Sequence, residues 1–206
     1  MTAILSDLDG VLVDSHASIM RAWHWWGALH GVEDEAIAGV QHGRPSGEVI
    51  AALAPDLDAP AESQAIDLRQ AEDTDGVIAL PGALELLAGA GTVAVVTSCT
   101  IPLATARLRA AGLPVPEVLV TPERLSRGKP DPEGYLLAAR SLGVEPAACV
   151  VLEDAPAGIE AGRAAGMHVV GITTTHDPAE LDAHELAPSI AAWLRSRDGV
   201  AGQSGW

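Results

Sequence analysis

Residues 3–10 read Ala3-Ile4-Leu5-Ser6-Asp7-Leu8-Asp9-Gly10. The first three form a short apolar run that is typical of a buried strand, and two carboxylates and a glycine follow it almost at once. In an open parallel sheet, ligands bind beyond the carboxyl ends of the strands. Asp7 and Asp9 therefore lie where a site is expected, although a simple Asp-Gly turn after a buried strand is the alternative.

Four further apolar runs predict strands that are covered on both faces, which is the pattern of a parallel sheet. They are Val93-Ala94-Val95-Val96, Val118-Leu119-Val120, Cys149-Val150-Val151-Leu152 and His168-Val169-Val170-Gly171-Ile172. Helical segments alternate with these runs, and most of them begin near a proline and end near a glycine. The alternation predicts an α/β fold with a doubly wound, Rossmann-like, mostly parallel sheet.

The stretch 15–80 breaks this alternation, because it shows helical patterns and turn signals but no convincing strand. Trp23 and Trp26 are three residues apart, so they share one helix face, and we interpret them as packing residues. The pattern predicts a small all-helical cap domain, 15–80, inserted after the first strand of a core domain that comprises 1–14 and 81–206. The polar, glycine-rich stretch 197–206 is expected to fray.

Charge and composition exclude several partners. The 206-residue chain has a formal net charge of −16. A field of that sign repels the phosphates of nucleic acid and anionic lipid, so we expect neither nucleic acid nor membrane as a partner. The chain has two cysteines and no recognisable signal sequence, which leads us to expect a cytoplasmic protein. The oligomeric state does not follow from the sequence.

Polar residues also follow the other predicted strands. Thr97 and Ser98 follow the second strand, where their hydroxyls could bind phosphate or cap the next helix. Lys129 lies in the loop after the third strand and is either a site residue or a solvated surface lysine. Glu153 and Asp154 follow the fourth, where they could bind a hard cation or cap a helix.

These four segments together resemble the four signature motifs of the haloacid dehalogenase superfamily of phosphohydrolases, in the family's order and spacing. The resemblance extends from the first predicted strand through the fifth and implies a helical cap between the first two motifs. Within the superfamily the chain is most similar to the β-phosphoglucomutase-like branch, and there to its 2-deoxyglucose-6-phosphate and glycerol-phosphate phosphatases. Residues 153–166, 171–177 and the cap residues His42-Gly43-Arg44 show this similarity.

The resemblance implies roles for the core residues. Asp7 resembles the nucleophile, which forms an aspartyl-phosphate, and Asp9 resembles the general acid and base. Asp7, the main-chain carbonyl of Asp9 and Asp154 resemble the Mg²⁺ ligands, with Glu153 beside them. Lys129 resembles the lysine that offsets charge on the nucleophile and the phosphate.

Thr97 and Ser98 resemble the phosphate-binding hydroxyl position. Gly43 and Arg44 are candidate substrate-binding residues of the cap, with a solvated loop arginine as the alternative for Arg44. The implied function is a Mg²⁺-dependent phosphatase that acts on a small sugar or polyol phosphate. A phosphosugar mutase of the same branch is the alternative. Asp9 argues against a dehalogenase, because a halide leaving group needs no proton, and the complete set of catalytic positions argues against a non-catalytic binding protein.

Overall fold

A computed structural model of the protein describes residues 3–41, 46–89 and 91–201. Its main sheet contains β1 Ala3–Ser6, β4 Thr92–Val96, β5 Val118–Val120, β6 Cys149–Glu153, β7 His168–Ile172 and β8 Glu185–Ala187. The six strands lie in the order β5-β4-β1-β6-β7-β8, and each neighbouring pair is parallel. The predicted α/β fold with a mostly parallel sheet is thereby confirmed.

Helices cover both faces of this sheet. They are α5 Ala83–Ala88, α6 Ile101–Ala110, α7 Glu133–Leu142, α8 Pro156–Ala164 and α9 Ile190–Ala201. Successive side chains of a strand point to opposite faces, so Val95 lies in the core that contains residues of α5, α6 and α9, whereas its neighbour Ala94 lies in the core that contains residues of α7 and α8. The two cores leave the carboxyl ends of the strands as the open edge of the sheet.

The described residues between 16 and 72 include four helices that share a core of their own. The helices are α1 His16–His30, α2 Asp34–Gln41, α3 Ser46–Leu53 and α4 Ala59–Glu72. Trp23 and Trp26 are buried in this core with their ring centroids 5.6 Å apart, which confirms that they are packing residues. α4 also packs against α6 of the main sheet. In the described ranges, no helix combines the length and the apolarity that crossing a bilayer requires.

Two short strands join the helical insert to the sheet. They are β2 Val13–Asp14 and β3 Ile78–Ala79, which pair antiparallel where the chain leaves the sheet and returns to it. The expectation of no strand within 15–80 is therefore wrong at Ile78–Ala79. A two-residue strand is too short to show the alternation by which strands are predicted.

Two features near the carboxyl end also differ from the sequence prediction. β8 was not predicted. It is an edge strand of three residues, and two of them are exposed, so it lacks the continuous buried run by which the other strands were predicted. α9 continues to Ala201, so residues 197–201 are helical, contrary to the prediction that this stretch frays. Trp193 stabilises α9 against the sheet, because its side chain is 1% exposed and belongs to the core on that face.

Candidate active site

Three carboxylates meet at the carboxyl edge of the sheet. Asp7 follows β1, and Glu153 and Asp154 lie at the end of β6. The two strands end level, because the Asp7 amide donates to the Leu152 carbonyl oxygen at 2.9 Å. One oxygen from each carboxylate lies within 4.8 Å of the others, and all three residues are buried. A plain surface turn would leave such groups in water, so their burial indicates a site.

Glycines at two positions let the backbone approach these carboxylates. A Cβ on Gly158, at the start of α8, would lie 1.9 Å from Glu153 Oε1. Gly10 has a φ of +76°, and a Cβ there would lie 2.1 Å from Asp154 Oδ2. Because a larger residue at either position would displace a carboxylate, both glycines are required by steric fit.

Lys129 supplies a positive charge to this cluster. Its Nζ lies 2.5 Å from Asp7 Oδ1 and 2.5 Å from Glu153 Oε1, and it donates to the Val96 carbonyl oxygen at 3.2 Å. The Lys129 side chain is 14% exposed, so the alternative of a solvated surface lysine is wrong. The Tyr135 hydroxyl also donates to Glu153 Oε1, at 2.5 Å, from within the core.

The carboxylates outnumber the ammonium, and their pKa values reflect this. Burial raises the pKa of Asp7 well above its usual value; Lys129 opposes the rise, and the charges of Glu153 and Asp154 add to it. Burial and the charge of Glu153 raise the pKa of Asp154 to about 7. Burial alone would lower the pKa of Lys129, but the charges of Asp7 and Glu153 raise it. A set of oxygen donors with uncompensated negative charge fits a hard divalent cation.

The raised pKa values predict how stability depends on pH in the metal-free protein. In the folded chain Asp154 retains its proton to about pH 7, whereas an unfolded aspartate loses it near pH 4, so the folded state binds more protons in between. Stability must therefore fall as the pH rises through this window. We expect the unfolding temperature in excess chelator to be roughly 5 °C lower at pH 7.5 than at pH 5.5.

Thermal unfolding followed by circular dichroism at these two pH values measures the effect, and Asp154→Asn is the matched variant. The variant should show a smaller dependence on pH, because its side chain does not titrate. An unfolding temperature that rises with pH in the chelated wild type would contradict the prediction.

Asp9 lies beside this cluster with partners of its own. Ser15 Oγ donates to Asp9 Oδ1 at 2.6 Å. Asp9 Oδ2 accepts from Arg107 Nη1 at 2.5 Å and from Cys99 Sγ at 3.0 Å. Its side chain remains 24% exposed and does not belong to the group of three carboxylates. A carboxylate held in this way has a fixed direction and still has access to a ligand.

The remaining predicted residues have different surroundings. Thr97 is buried after β4, and its Oγ1 accepts from the Cys99 amide at 3.0 Å, whereas Ser98 is exposed. The residue at the N-cap of α6 is Thr100, so the alternative of a helix cap at Thr97–Ser98 is wrong. Gly43 and Arg44 lie outside the described residues.

Several partners of the site were not predicted from the sequence. They are Ser15, Cys99 and Arg107 around Asp9, Tyr135 on Glu153, and Thr175, whose hydroxyl donates to Asp154. Of these, Thr175 carried a signal, because it lies within residues 171–177, which resemble the phosphatases of the β-phosphoglucomutase-like branch.

Fold and site together define a class of protein. It is a doubly wound α/β enzyme whose buried carboxylates and lysine lie at the carboxyl edge of the central strands. Residues 1–166 match the model of the haloacid dehalogenase-like hydrolases. The chain belongs to this family.

Curated relatives and solved structures agree with this assignment. Hexitol phosphatase A of Escherichia coli is 43% identical over 88% of this chain and 88% of its own length. Glycerol-1-phosphate phosphohydrolase 2 of Saccharomyces cerevisiae is 33% identical over 86% of this chain and 76% of its own length. The crystal structure of CbbY from Rhodobacter sphaeroides in complex with phosphate, at 27% identity, covers 93% of this chain and 96% of its own with a TM-score of 0.81. Both of these curated relatives are named for the phosphate esters that they hydrolyse, and the solved structure shares the fold of this chain.

Proposed function

We propose that this protein hydrolyses the phosphate monoester of a small sugar or polyol, with Asp7 as the nucleophile. The observation that carries the proposal is the buried Asp7 carboxylate, which is paired with Lys129 at 2.5 Å at the carboxyl end of β1. A carboxylate in this position can attack phosphorus and form an acyl phosphate, which splits one difficult displacement into two.

In the first step an oxygen of Asp7 forms a bond to phosphorus, and the bond from phosphorus to the sugar oxygen breaks. Asp9 gives its proton to the departing oxygen, which leaves as an alcohol. In the second step water attacks the phosphorus of the aspartyl-phosphate, Asp9 takes a proton from that water, and Asp7 leaves as a carboxylate. The 24% exposure of the Asp9 side chain supports this role, because the proton must reach the substrate.

Positive charge beside the transferred group is the second requirement, since a phosphoryl group carries negative charge on its oxygens. We assign Lys129 to this role, with the Thr97 and Ser98 hydroxyls and nearby amides as the phosphate contacts. The metal site that we propose consists of Asp7, the Asp9 main-chain carbonyl and Asp154, with Glu153 beside them, and Mg²⁺ as the ion. When bound, the ion supplies positive charge close to the phosphate oxygens.

Substrate choice is assigned to the helical insert. We propose that residues 15–80 act as a cap over a core of 1–14 and 81–206, and that Gly43 and Arg44 contact the substrate. The 43% identity with a hexitol phosphatase favours a polyol phosphate as substrate. The buried cysteines Cys99 and Cys149 are both free, which suits a reducing cytoplasm.

The phosphosugar mutase is the alternative, because it would form the same aspartyl-phosphate and differ only in the acceptor. A mutase must exclude water and hold a sugar hydroxyl in line, whereas a phosphatase must admit water. The relatives named above that match over most of the chain are phosphatases, which favours water as the acceptor.

A substrate panel tests the proposal. The purified protein with Mg²⁺ is given a hexitol phosphate, glycerol phosphate, 2-deoxyglucose 6-phosphate, glucose 6-phosphate and β-glucose 1-phosphate. Inorganic phosphate should appear in step with the loss of the preferred ester, and the hexitol ester should have the highest kcat/KM. Conversion of β-glucose 1-phosphate into glucose 6-phosphate with little free phosphate, accelerated by a bisphosphate primer, would favour the mutase instead.

A further inference from the structure

A buried arginine outside the four motifs contacts both Asp9 and the helical insert. Arg107 lies on α6 and is 2% exposed. Its Nη1 donates to Asp9 Oδ2 at 2.5 Å and to Cys99 Sγ at 2.8 Å. Its Nη2 donates to Gln70 Oε1, on α4 of the insert, and Gln70 is 4% exposed. One rigid guanidinium therefore bridges the proposed general acid and the proposed cap.

Burial of this guanidinium carries a free-energy cost, so its presence at this position needs a reason. Moving a charged group out of water costs several kcal/mol unless charges and hydrogen bonds compensate for it. Here the compensation is partial: Asp9 and Gln70 bind the two Nη atoms, while the buried Nε has no partner among the described residues. An apolar side chain would fill the α4–α6 contact without this cost, so packing alone does not account for an arginine.

The adjoining part of α4 also faces this charge. Asp67 lies three residues before Gln70 on α4, and burial raises its pKa to about 6 while the charge of Arg107 and a hydrogen bond with Thr100 oppose the rise. Arg107 is thus close to a second carboxylate, which belongs to the insert. A displacement of α4 would change the partners of the guanidinium that holds Asp9.

We propose that Arg107 is a positioning residue that orients the Asp9 carboxylate and links that orientation to the position of α4. This inference rests on the proposed function, in which Asp9 protonates the leaving oxygen. Ser15 binds Oδ1, and Arg107 binds Oδ2 together with Cys99, so these contacts determine the direction of the carboxylate, and Arg107 supplies the charged one. Because Arg107 is also bound to Gln70, the direction of Asp9 depends on where the insert lies.

The test compares two esters that differ in their need for the acid. An alkyl phosphate, such as the preferred substrate of the panel, expels an alkoxide that must be protonated, whereas 4-nitrophenyl phosphate expels a stable anion. The kcat/KM values cover the steps through loss of the leaving group. The ratio of kcat/KM for the alkyl ester to kcat/KM for the aryl ester therefore reports the contribution of Asp9 as the acid. General acid catalysis contributes about 10²- to 10⁴-fold, and we expect Arg107→Met to lower kcat/KM for the alkyl ester about 30-fold but for the aryl ester less than about threefold.

Three further variants separate positioning from stability. Gln70→Leu keeps the Arg107–Asp9 contact and removes only the link to α4, so it should lower the same ratio by a smaller factor. Arg107→Lys should partly restore it, because an ammonium can reach one of the two acceptors. Arg109→Met is the matched control, since Arg109 is exposed on the same helix. This variant should leave kcat/KM unchanged for both esters. Thermal unfolding of each variant shows whether it is folded.

The outcomes are distinct. Equal losses for both esters in folded Arg107→Met would overturn the inference, because a structural defect does not discriminate between leaving groups. An unchanged ratio in Gln70→Leu would overturn the link to α4. If Arg107→Met does not fold, Arg107→Lys replaces it, and equal losses for both esters in folded Arg107→Lys would overturn the positioning role. Failure of the wild type to release phosphate from either ester would instead overturn the proposed function, and this inference with it.

Discussion

Asp7→Asn should lower phosphatase turnover by at least about a thousandfold, because a neutral amide is a far weaker nucleophile towards phosphorus than a carboxylate. The substitution keeps the volume of the side chain and removes one charge from a buried cluster. Steady-state phosphate release from the preferred ester measures the loss. An acid quench after addition of a ³²P-labelled ester should leave label on the wild-type protein and none on the variant.

The same variant should be as stable as the wild type in chelator, or more stable. The pKa of Asp7 is raised well above its usual value by burial and by its acidic neighbours, so its ionised form is disfavoured in the metal-free fold. Lys129 retains Glu153 as a partner at 2.5 Å when Asp7 is replaced. A folded variant with more than about a tenth of wild-type turnover would show that Asp7 is not the nucleophile.

The sequence predicts the elements of this site that directly follow strands. Asp7, Thr97 and Asp154 each come within two residues of the end of a buried apolar run, and parallel strands end at one edge of a sheet. Their convergence follows from topology, which needs no knowledge of side-chain packing. Lys129 was predicted from a different signal, a lysine between Gly128 and Pro130 in a chain with few basic residues, together with the family resemblance.

The partners of those residues could not be predicted in the same way. Arg107 and Asp9 are 98 residues apart, and Arg107 and Gln70 are 37 apart on two different helices. Helical periodicity indicates that Arg107 faces inward, but it does not show which carboxylate or amide lies opposite. That depends on how α4 packs on α6, and such a tertiary contact has no local pattern.

The short strands show the same limit for the fold. β3 and β8 contain two and three residues, and neither has a buried run long enough to show a period. β3 is present because Val13 and Asp14 lie opposite it, and β8 because β7 offers a free edge. In both cases the partner strand, rather than the local sequence, determines the structure.

Removal of divalent metal should abolish turnover, to below about 1% of the Mg²⁺-loaded rate. Three buried carboxylates, Asp7, Glu153 and Asp154, lie within 4.8 Å of one another, and Lys129 is the single cation found to pair with them among the described residues. Without a second positive charge, an approaching phosphate meets net repulsion, and burial strengthens that repulsion because little water screens it. Dialysis against excess chelator, followed by an assay in metal-free buffer, measures the effect.

Return of Mg²⁺ should restore the rate, and Ca²⁺ should bind without restoring it. Ca²⁺ accepts more ligands at longer and more variable distances, whereas Mg²⁺ requires near-octahedral geometry, so Ca²⁺ would place the phosphate less accurately. Addition of Ca²⁺ to the chelated protein should therefore raise the unfolding temperature, since it neutralises the carboxylates, yet leave turnover low. Asp154→Asn provides the matched control: it should weaken the thermal response and raise the Mg²⁺ concentration that turnover requires. Full activity after exhaustive chelation would contradict the metal site, and equal rates with the two ions would contradict the argument from coordination geometry.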